Sequence, residues 1–375
     1  MAITLDEAPI FIGGYERSGT TMLMLMIGSH PRIAVPEVTW YYPRFRAYLH
    51  TYGDISKEEN FRVLLHEMMF GLLVPFFGIE VDEDTILDEI LIHVPERTFP
   101  GAFAGVMNWF VSKKGKPRWV EKCPQNIFHV ASILEDFPNA QIVFITRDGR
   151  DSGATYMQSK FGPTNVYAAA ELWKKFQAAA RHWRARLDGS QWLDVRYEDL
   201  VREPEQTLER ICGFLGEDYS PDMLGFHETA YARNRGRNPD HAPIARPVTD
   251  ELIGEYKQYL SIREQRIFAG VAGEELAENS YEIDVDPIET SAEDAALLLE
   301  MDMRTRAANF DLMGHQYAFS RFNEGLVERW EERRREGIWN DADRPRDQDP
   351  NARLWMETIA EQARLKTRFG THPKE

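Results

Sequence analysis

The sequence predicts an α/β protein in which helices flank a parallel β-sheet. Short apolar runs alternate along the chain with segments of helical pattern, and this alternation is typical of strands joined by crossover helices. The chain has 375 residues, of which 43% are hydrophobic. This is long enough for one large α/β domain and an additional helical part.

Five apolar runs are the predicted strands, and a predicted helical segment follows each of them. The strands are 10–14, 33–35, 119–122, 141–146 and 192–197. The helical segments are 20–29, a block over 43–93, 126–136, 148–160 with 166–187, and 204–215. Because the block 43–93 is too long for a simple crossover, we expect it to form an inserted helical cap.

The predicted domain boundary lies after residue 284. We expect residues 1–284 to form the α/β domain, including the helical insertion, and 285–375 to form a C-terminal helical extension. From Tyr281 to Met303 the chain carries eight acidic residues and no basic one. Amphipathic patterns then predict helices over 316–336 and 352–368. The extension could pack on the domain, form a homodimer or cover the active site, and the patterns do not choose among these.

Composition restricts the classes of partner and compartment. The formal net charge of −17 disfavours binding to nucleic acid or to anionic membranes. No run of about 18 apolar residues predicts a transmembrane helix. The first residues lack the basic and apolar regions of a signal peptide. The chain has two cysteines, Cys123 and Cys212, without a C-x-x-C motif. We therefore expect a reducing, cytoplasmic compartment.

The stretch GGYERSGTT, residues 13–21, nearly matches the phosphate-binding pattern G-x-x-x-x-G-K-[ST]. Gly14, Gly19 and Thr21 fit the pattern, whereas Thr20 replaces the lysine. The strand before the loop and the helix after it direct backbone N–H groups and a helix N-terminus toward one point, which predicts an anion site. The alternative is a tight turn capped by threonines. Three hydroxyl groups and a cation complete the predicted site: Ser18, Thr20, Thr21 and Arg17.

The missing lysine bears on which anion the loop binds. In nucleoside-triphosphate enzymes this lysine reaches the β- and γ-phosphates, and a Ser or Thr with an acidic residue holds Mg²⁺. A cation at Arg17 and two threonines instead favour a ligand that ends at a 5′-phosphate with one further group. Such a ligand need not depend on Mg²⁺. No His, Cys and carboxylate grouping occurs at ligand spacing, so no metal site is predicted.

Four segments together resemble the PAPS-dependent sulfotransferases, and among these the tyrosylprotein sulfotransferases in particular. They are RSGTT with HPRIAVPEVTWYYP, then WVEKCPQN, IVFITRDGRDS and DVRYEDLVREPEQTLERICGFLG. The segments follow the family's order over about residues 9–260. The resemblance implies the sulfotransferase fold, a parallel sheet like that of P-loop NTPases. It also implies sulfuryl transfer from PAPS (3′-phosphoadenosine 5′-phosphosulfate) to a hydroxyl group, giving PAP and a sulfate ester.

PAPS carries a 5′-phosphosulfate and a 3′-phosphate, so it needs two separate anion sites. The loop Arg17–Thr21 is the first. The resemblance places the second at Arg147, which follows the strand 141–146, with Tyr197 near the same 3′-phosphate. It also matches Arg246 to a basic residue of the family's C-terminal cofactor loop. It also implies a hydroxyl group from the following helix, for which the candidates are Ser152 and Thr155.

Each of these assignments has a structural alternative. RDGRDS can be an ordinary strand–turn–helix in which the arginines pair with Asp148 and Asp151. Tyr197 can be a core tyrosine. The arginines near Arg246 can form a solvated loop or close over the same ligand; they are Arg233, Arg235 and Arg237.

Sulfuryl transfer to an alcohol needs a base for the acceptor proton and cations near the oxygen where charge develops. Glu37 is the predicted base, because it follows the strand 33–35 and should lie at the carboxyl edge of the sheet, where open α/β sheets bind ligands. The resemblance gives the matching glutamate this role. Lys122 ends another strand and is predicted, with Arg17, to stabilise the leaving phosphate. The alternatives are a surface or capping role for Glu37 and a pair between Lys122 and the adjacent glutamate. Weaker candidates for the base are His50, His66 and His241.

The sequence leaves the acceptor open between a peptide tyrosine, a carbohydrate, a lipid-linked group and a small molecule. Unlike the animal tyrosylprotein enzymes, this chain shows no membrane anchor and no paired cysteines, and Glu16 replaces a proline of their loop. Two other functions are considered. A nucleotide kinase or NTPase with a variant loop is disfavoured by the missing lysine. A non-catalytic nucleotide-binding module is disfavoured by the presence of Glu37, Lys122 and Arg17.

Overall fold

The predicted α/β architecture is confirmed. A computed structural model describes residues 8–36, 38–70, 79, 81–82, 84–159, 162–313, 329–330 and 332–338. Five strands form one sheet in the order β2-β3-β1-β4-β5. The strands are β1 (Ile10–Gly14), β2 (Ile33–Ala34), β3 (Arg118–Lys122), β4 (Gln141–Thr146) and β5 (Trp192–Arg196).

Strands β1, β4 and β5 run parallel, with Ile12 opposite Val143 and Val143 opposite Leu193. All five residues of β1 are buried. Strands of a parallel sheet are covered on both faces, which explains why these segments read as continuous apolar runs instead of alternating patterns. The bounds of β1 and β4 are those predicted, whereas β5 ends one residue early because Tyr197 already begins a helix.

Helices make up most of the remaining described chain. The α-helices are α1 (Thr20–Gly28), α2 (Tyr41–Arg44), α3 (Glu58–Phe70), α4 (Ile86–Leu91), α5 (Phe99–Lys114), α6 (Val130–Asp136), α7 (Gly149–Met157), α8 (Val166–Arg184), α9 (Tyr197–Arg202), α10 (Pro204–Leu215), α11 (Ala230–Arg235), α12 (Tyr256–Tyr259), α13 (Ile262–Glu278) and α14 (Ala292–Met313). Four 3₁₀-helices span Arg46–Tyr52, Pro124–Phe128, Pro221–Glu228 and Pro239–Ala245.

The chain divides into two compact units. The first comprises residues 1–9, 36–140 and 310–375, and the second 10–35 and 141–309. The first contains the predicted helical insertion, where α2, α3, α4 and a 3₁₀-helix occur within 43–93 or at its edge. In the second, α8 packs against α7 and α13. The domain boundary after residue 284 stays a prediction.

Besides α14, two long helices were not predicted from the sequence. Helix α5 is buried on nearly all sides, so its residues show no amphipathic period. Its ends do carry signals: the Thr98 side chain accepts a hydrogen bond from the Gly101 N–H, and Gly115 ends the helix in a left-handed conformation. Helix α13 begins with a capping box in which Ser261 and Glu264 bond reciprocally. In both cases the cap was a clearer marker than the apolar pattern.

Helix α14 is the described part of the predicted extension. Its Asp302 carboxylate is buried and accepts hydrogen bonds from the Thr164 N–H at 2.7 Å and the Thr164 hydroxyl at 3.1 Å. The Asn165 side-chain amide donates to the Leu298 carbonyl at 2.9 Å. Helix α14 is therefore attached to the N-terminus of α8 by contacts among residues of the second unit. The predicted helix 316–336 falls mostly, and 352–368 entirely, outside the described residues.

Candidate active site

The loop between β1 and α1 has the geometry of an anion site. Arg17 adopts a left-handed conformation with φ of 67°, and the Ser18 N–H donates to the Tyr15 carbonyl at 3.1 Å. Gly19 occupies the N-cap position of α1 and offers no side chain to cap the helix. The N-terminal N–H groups of a helix attract anions, and here the loop turns beside them.

Two glycines allow this loop to lie close to neighbouring elements. A β carbon at Gly14 would lie 2.6 Å from the Ile145 carbonyl oxygen, which belongs to β4. A β carbon at Gly19, where φ is 90°, would lie 2.7 Å from the Tyr197 ring. Both distances are too short for a real side chain, so glycine is required at each position. The two glycines of the sequence motif therefore fix the loop against β4 and α9.

Arg147 follows β4 and is buried, with 3% of its surface exposed. Its guanidinium lies over the Tyr197 ring, 4.6 Å from the ring centroid. Burial alone would lower the pKa of Arg147, but Tyr197, Asp151 and Glu255 together outweigh burial and raise the pKa above its ordinary value. Arg147 is therefore a permanently charged group on one side of the loop.

The hydrogen bonds of Arg147 connect it to that loop. Its Nη1 donates to the Arg17 carbonyl at 3.3 Å, so the two predicted anion-binding arginines are neighbours. Its Nη2 donates to the Leu252 carbonyl at 2.5 Å and to Glu255 at 2.8 Å. Its buried Nε–H has no hydrogen-bond partner within the described residues. A buried guanidinium N–H without a partner is suited to bind an anionic ligand.

The two candidate hydroxyl groups occupy different places on α7. Ser152 is fully buried, its hydroxyl donates to the Asp148 carbonyl at 2.8 Å, and the Ser18 hydroxyl lies 3.4 Å away. Thr155 lies one turn later, 3.1 Å from the same Glu255 oxygen that Arg147 contacts. Ser152 thus adjoins the first loop, whereas Thr155 shares a partner with Arg147.

The segment RDGRDS also forms part of the ordinary strand–turn–helix considered above, in which its arginines pair with nearby aspartates. Arg150 makes a bidentate pair with Asp148, and its guanidinium lies over the Tyr256 ring, 4.4 Å from the centroid. Arg147, in contrast, has its closest carboxylate contact with Glu255 and lies 3.8 Å from Asp151. The two arginines of the motif therefore have separate roles, and Arg147 is the one that reaches the loop.

Comparison with known sequences identifies the family. The sequence model of the sulfotransferase family matches residues 9–221, more than half of the chain. The chain belongs to the sulfotransferase family.

Several known sulfotransferases are similar to this one. Protein-tyrosine sulfotransferase 2 of Gallus gallus is 26% identical over 261 residues, which cover 66% of this chain and 62% of the relative. Protein-tyrosine sulfotransferase 1 of Danio rerio is 23% identical over 285 residues, 71% of this chain and 70% of the relative. The match to the first relative thus spans less than two thirds of that protein's length.

A solved structure confirms the sulfotransferase fold. The sulfotransferase domain from the curacin biosynthetic pathway has a TM-score of 0.53 and 16% sequence identity, and the match covers 74% of this chain and 98% of that domain. At this identity the likeness concerns the fold alone.

Of the three predicted catalytic residues of this sulfotransferase, Arg17 belongs to the second unit and Lys122 to the first. Lys122 ends β3 and is buried. The neighbouring Glu121 carboxylate accepts hydrogen bonds from the Thr39 hydroxyl and from the Asn126 amide, each at 2.5 Å. Neighbouring residues of a strand point to opposite faces, so Lys122 projects to the other face of β3 from Glu121. Glu37 lies outside the described residues, and the catalytic roles of Glu37, Arg17 and Lys122 stay predictions.

The remaining predicted site residues differ in their exposure to solvent. Arg246 lies exposed after the last 3₁₀-helix, and Arg233 and Arg237 are also exposed. Thr20 is buried at the start of α1. Within the described residues, no helix is both long and apolar enough to cross a membrane. In the same part of the chain, no three His, Cys, Asp or Glu side chains are grouped as a metal site would require.

Two buried acids, one in each unit, were not predicted as site residues. Glu121 was considered only as a partner of Lys122, and burial raises its pKa to about 7 despite its hydrogen bonds. Glu255, which contacts Arg147 and Thr155, was not considered at all. No sequence signal identifies Glu255, because its contacts lie about a hundred residues earlier in the chain.

Proposed function

We propose that this protein transfers a sulfuryl group from PAPS to a hydroxyl acceptor and releases PAP. The observation that supports this most directly is the hydrogen bond from Arg147 to the Arg17 carbonyl. It brings the two predicted anion sites, which lie about 130 residues apart in the sequence, to neighbouring positions in the second unit. A nucleotide with phosphate groups at both ends of its ribose requires such a pair of sites.

In this proposal each end of PAPS has its own residues. The loop from Arg17 to Thr21 and the N-terminus of α1 hold the 5′-phosphosulfate through backbone N–H groups and hydroxyls. Arg147 and Thr155 hold the 3′-phosphate, and Tyr197 packs beside the loop and limits where the nucleoside can lie. Bound PAPS supplies the sulfuryl group, with PAP as the leaving group.

The remaining roles concern the acceptor and the leaving group. Glu37 takes the proton of the acceptor hydroxyl as general base. Arg17 and Lys122 stabilise the negative charge that develops on the leaving phosphate. No step requires a metal ion in this scheme, and independence of metal is itself part of the proposal.

For the acceptor, the names of the relatives favour a first candidate. Two similar proteins are protein-tyrosine sulfotransferases, so we propose a peptide tyrosine as the acceptor to test first. Carbohydrate and small-molecule hydroxyls remain in the test panel. We also propose a cytoplasmic location, which the composition favours. A homodimer formed through the C-terminal extension is a separate proposal.

The function is tested by binding and by transfer. Calorimetric titration should show that the wild-type protein binds PAP more tightly than 5′-AMP, because only PAP carries the 3′-phosphate. Sulfur-35-labelled PAPS should then transfer label to at least one member of a panel of tyrosine peptides, oligosaccharides and small alcohols. Binding of PAP no tighter than 5′-AMP would contradict the proposal. Mg²⁺-dependent ATP hydrolysis would instead support the kinase or NTPase alternative, which the replacement of lysine by Thr20 disfavours.

A further inference from the structure

Glu255 contacts both residues proposed to hold the 3′-phosphate. One of its carboxylate oxygens, Oε1, accepts from Arg147 Nη2 at 2.8 Å, and the Thr155 hydroxyl lies 3.1 Å from the same oxygen. The residue is 9% exposed. An oxygen placed between these two donors has the position that a 3′-phosphate oxygen needs in the proposed function.

The backbone around Glu255 is held in place from the other side. The Asp151 carboxylate accepts hydrogen bonds from the Gly254 N–H and from the Tyr256 N–H, both at 2.8 Å. Asp151 lies on the first turn of α7, between Arg147 and Thr155 in the sequence. The segment that carries Glu255 is thus fixed to α7, the helix that carries Thr155 and begins shortly after Arg147.

Glu255 and a phosphate would compete for the charge of Arg147 and for the Thr155 hydroxyl, although the Arg147 Nε–H has no partner within the described residues. Arg147 already faces two carboxylates, Glu255 at 2.8 Å and Asp151 at 3.8 Å. Two carboxylates around one guanidinium leave a net negative charge, so these two acids repel a further dianion at short range. The Thr155 hydroxyl also lies 2.7 Å from the Asp151 carbonyl, and it can donate its single proton to only one of Asp151, Glu255 and a phosphate oxygen at a time.

We propose that Glu255 is a specificity-determining residue that competes with the 3′-phosphate of the nucleotide for Arg147 and Thr155. The inference rests on the proposed use of PAPS. A 3′-phosphate carries more charge than a carboxylate and displaces Glu255 from the two donors. A nucleotide without this phosphate, such as 5′-AMP, leaves the carboxylate in place. Displacing Glu255 from the two donors costs free energy, so Glu255 lowers the apparent affinity for PAP. The affinity for 5′-AMP is not affected, because 5′-AMP leaves Glu255 in place.

The test compares two ligands and three variants. Dissociation constants for PAP and for 5′-AMP are measured by calorimetry at one ionic strength for the wild type, Glu255→Gln, Glu255→Ala and Glu251→Gln. Glu251 is an exposed acid of the same segment, so its variant controls for the change in net charge. Loss of the competing charge should tighten PAP binding about tenfold in both Glu255 variants. Binding of 5′-AMP should change less than about twofold, and Glu251→Gln should resemble the wild type with both ligands.

An unchanged or weaker preference for PAP over 5′-AMP in Glu255→Gln would overturn the inference, because Glu255 would then orient Arg147 and not oppose the phosphate. Glutamine has nearly the same shape as glutamate, so this variant remains informative if the alanine variant does not fold. The two proposals fail in different ways. A wild type without preference for PAP contradicts the proposed function, whereas a preference that is equal in the wild type and both variants contradicts only the role of Glu255.

Discussion

The ring of Tyr197 lies directly against the backbone of Gly19, at a distance that leaves no room for a β carbon. Gly19 also has φ of 90°, which an L-residue other than glycine rarely adopts. The packing of the first turn of α1 against the first residue of α9 therefore requires glycine at position 19. Tyr197 is buried, and burial together with its acidic neighbours raises its pKa despite the opposing effect of Arg147.

This contact predicts the effect of Gly19→Ala. We expect the free energy of unfolding to fall by about 1–3 kcal/mol, because the added methyl group meets the ring and strains the backbone. PAP affinity should fall at least about tenfold, since the loop must shift. Urea unfolding and calorimetry measure the two effects. Gly213→Ala in α10 is the control: its β carbon meets nothing within 4 Å, so stability should rise by about 0.5–1 kcal/mol. Wild-type PAP binding by Gly19→Ala would contradict the prediction.

The variant Arg147→Lys should distinguish the contribution of the positive charge from that of the guanidinium hydrogen bonds. Lysine keeps the charge but loses the guanidinium N–H groups that reach Arg17 and the buried Nε position, so PAP affinity should fall about tenfold or more. Binding of 5′-AMP should fall much less. Calorimetry with both nucleotides checks this, and Arg202→Lys at an exposed position of α9 provides the control. Equal losses for PAP and 5′-AMP would show that Arg147 does not recognise the 3′-phosphate.

The two hydroxyl candidates should give different patterns of loss. Thr155→Val removes a hydroxyl beside the partner of Arg147, so we expect a three- to tenfold loss for PAP, about one hydrogen bond, and little change for 5′-AMP. Ser152→Ala removes a hydroxyl next to Ser18 in the first loop, so both ligands should weaken alike. The ratio of PAP affinity to 5′-AMP affinity in each variant shows which of the two hydroxyl groups contacts the 3′-phosphate. An unchanged ratio in Thr155→Val would assign Thr155 a structural role only.

Glu37→Gln tests the proposed general base. Removing the base should lower kcat by about 10²–10⁴-fold while PAP affinity stays within about twofold. Single-turnover transfer of labelled sulfate and calorimetry measure the two quantities on the same preparation. Retained turnover would exclude Glu37 as the base and direct attention to His50 and His66, the candidates of the same unit.

Glu121 predicts a pH dependence of stability. Burial raises its pKa from 4.5 to about 7, so between these values the folded protein binds a proton that the unfolded chain has released. Stability should therefore fall as the pH rises from 4.5 to 7, by as much as about 3 kcal/mol from this group. Glu121→Gln should flatten that dependence in urea unfolding at pH 5 and pH 7.5. Glu209→Gln, which changes an exposed acid, should keep the dependence of the wild type. A slope in Glu121→Gln equal to that of the wild type would contradict the prediction.

The parts of the site that sequence could predict are those built from local motifs. Gly14 and Gly19 are required by contacts that the motif spacing anticipates, and Arg147 follows a strand whose bounds were predicted correctly. Helix α5 was missed because its residues are apolar on all faces, which removes the period that marks a surface helix. Glu255 was missed because its role depends on a fold that brings residues 147 and 255 together, and no local pattern encodes such a contact.

The attachment of α14 has a consequence for any chain shortened at residue 284. Without Leu298 and Asp302, the Asn165 amide and the Thr164 N–H would lose their acceptors, and Asn165 is the residue whose side chain caps α8. That helix carries Trp173, whose indole N–H donates to the Arg147 carbonyl. Removing α14 would thus remove contacts that fix the N-terminus of α8, the helix that supports the Arg147 backbone, so we expect such a shortened chain to be less stable.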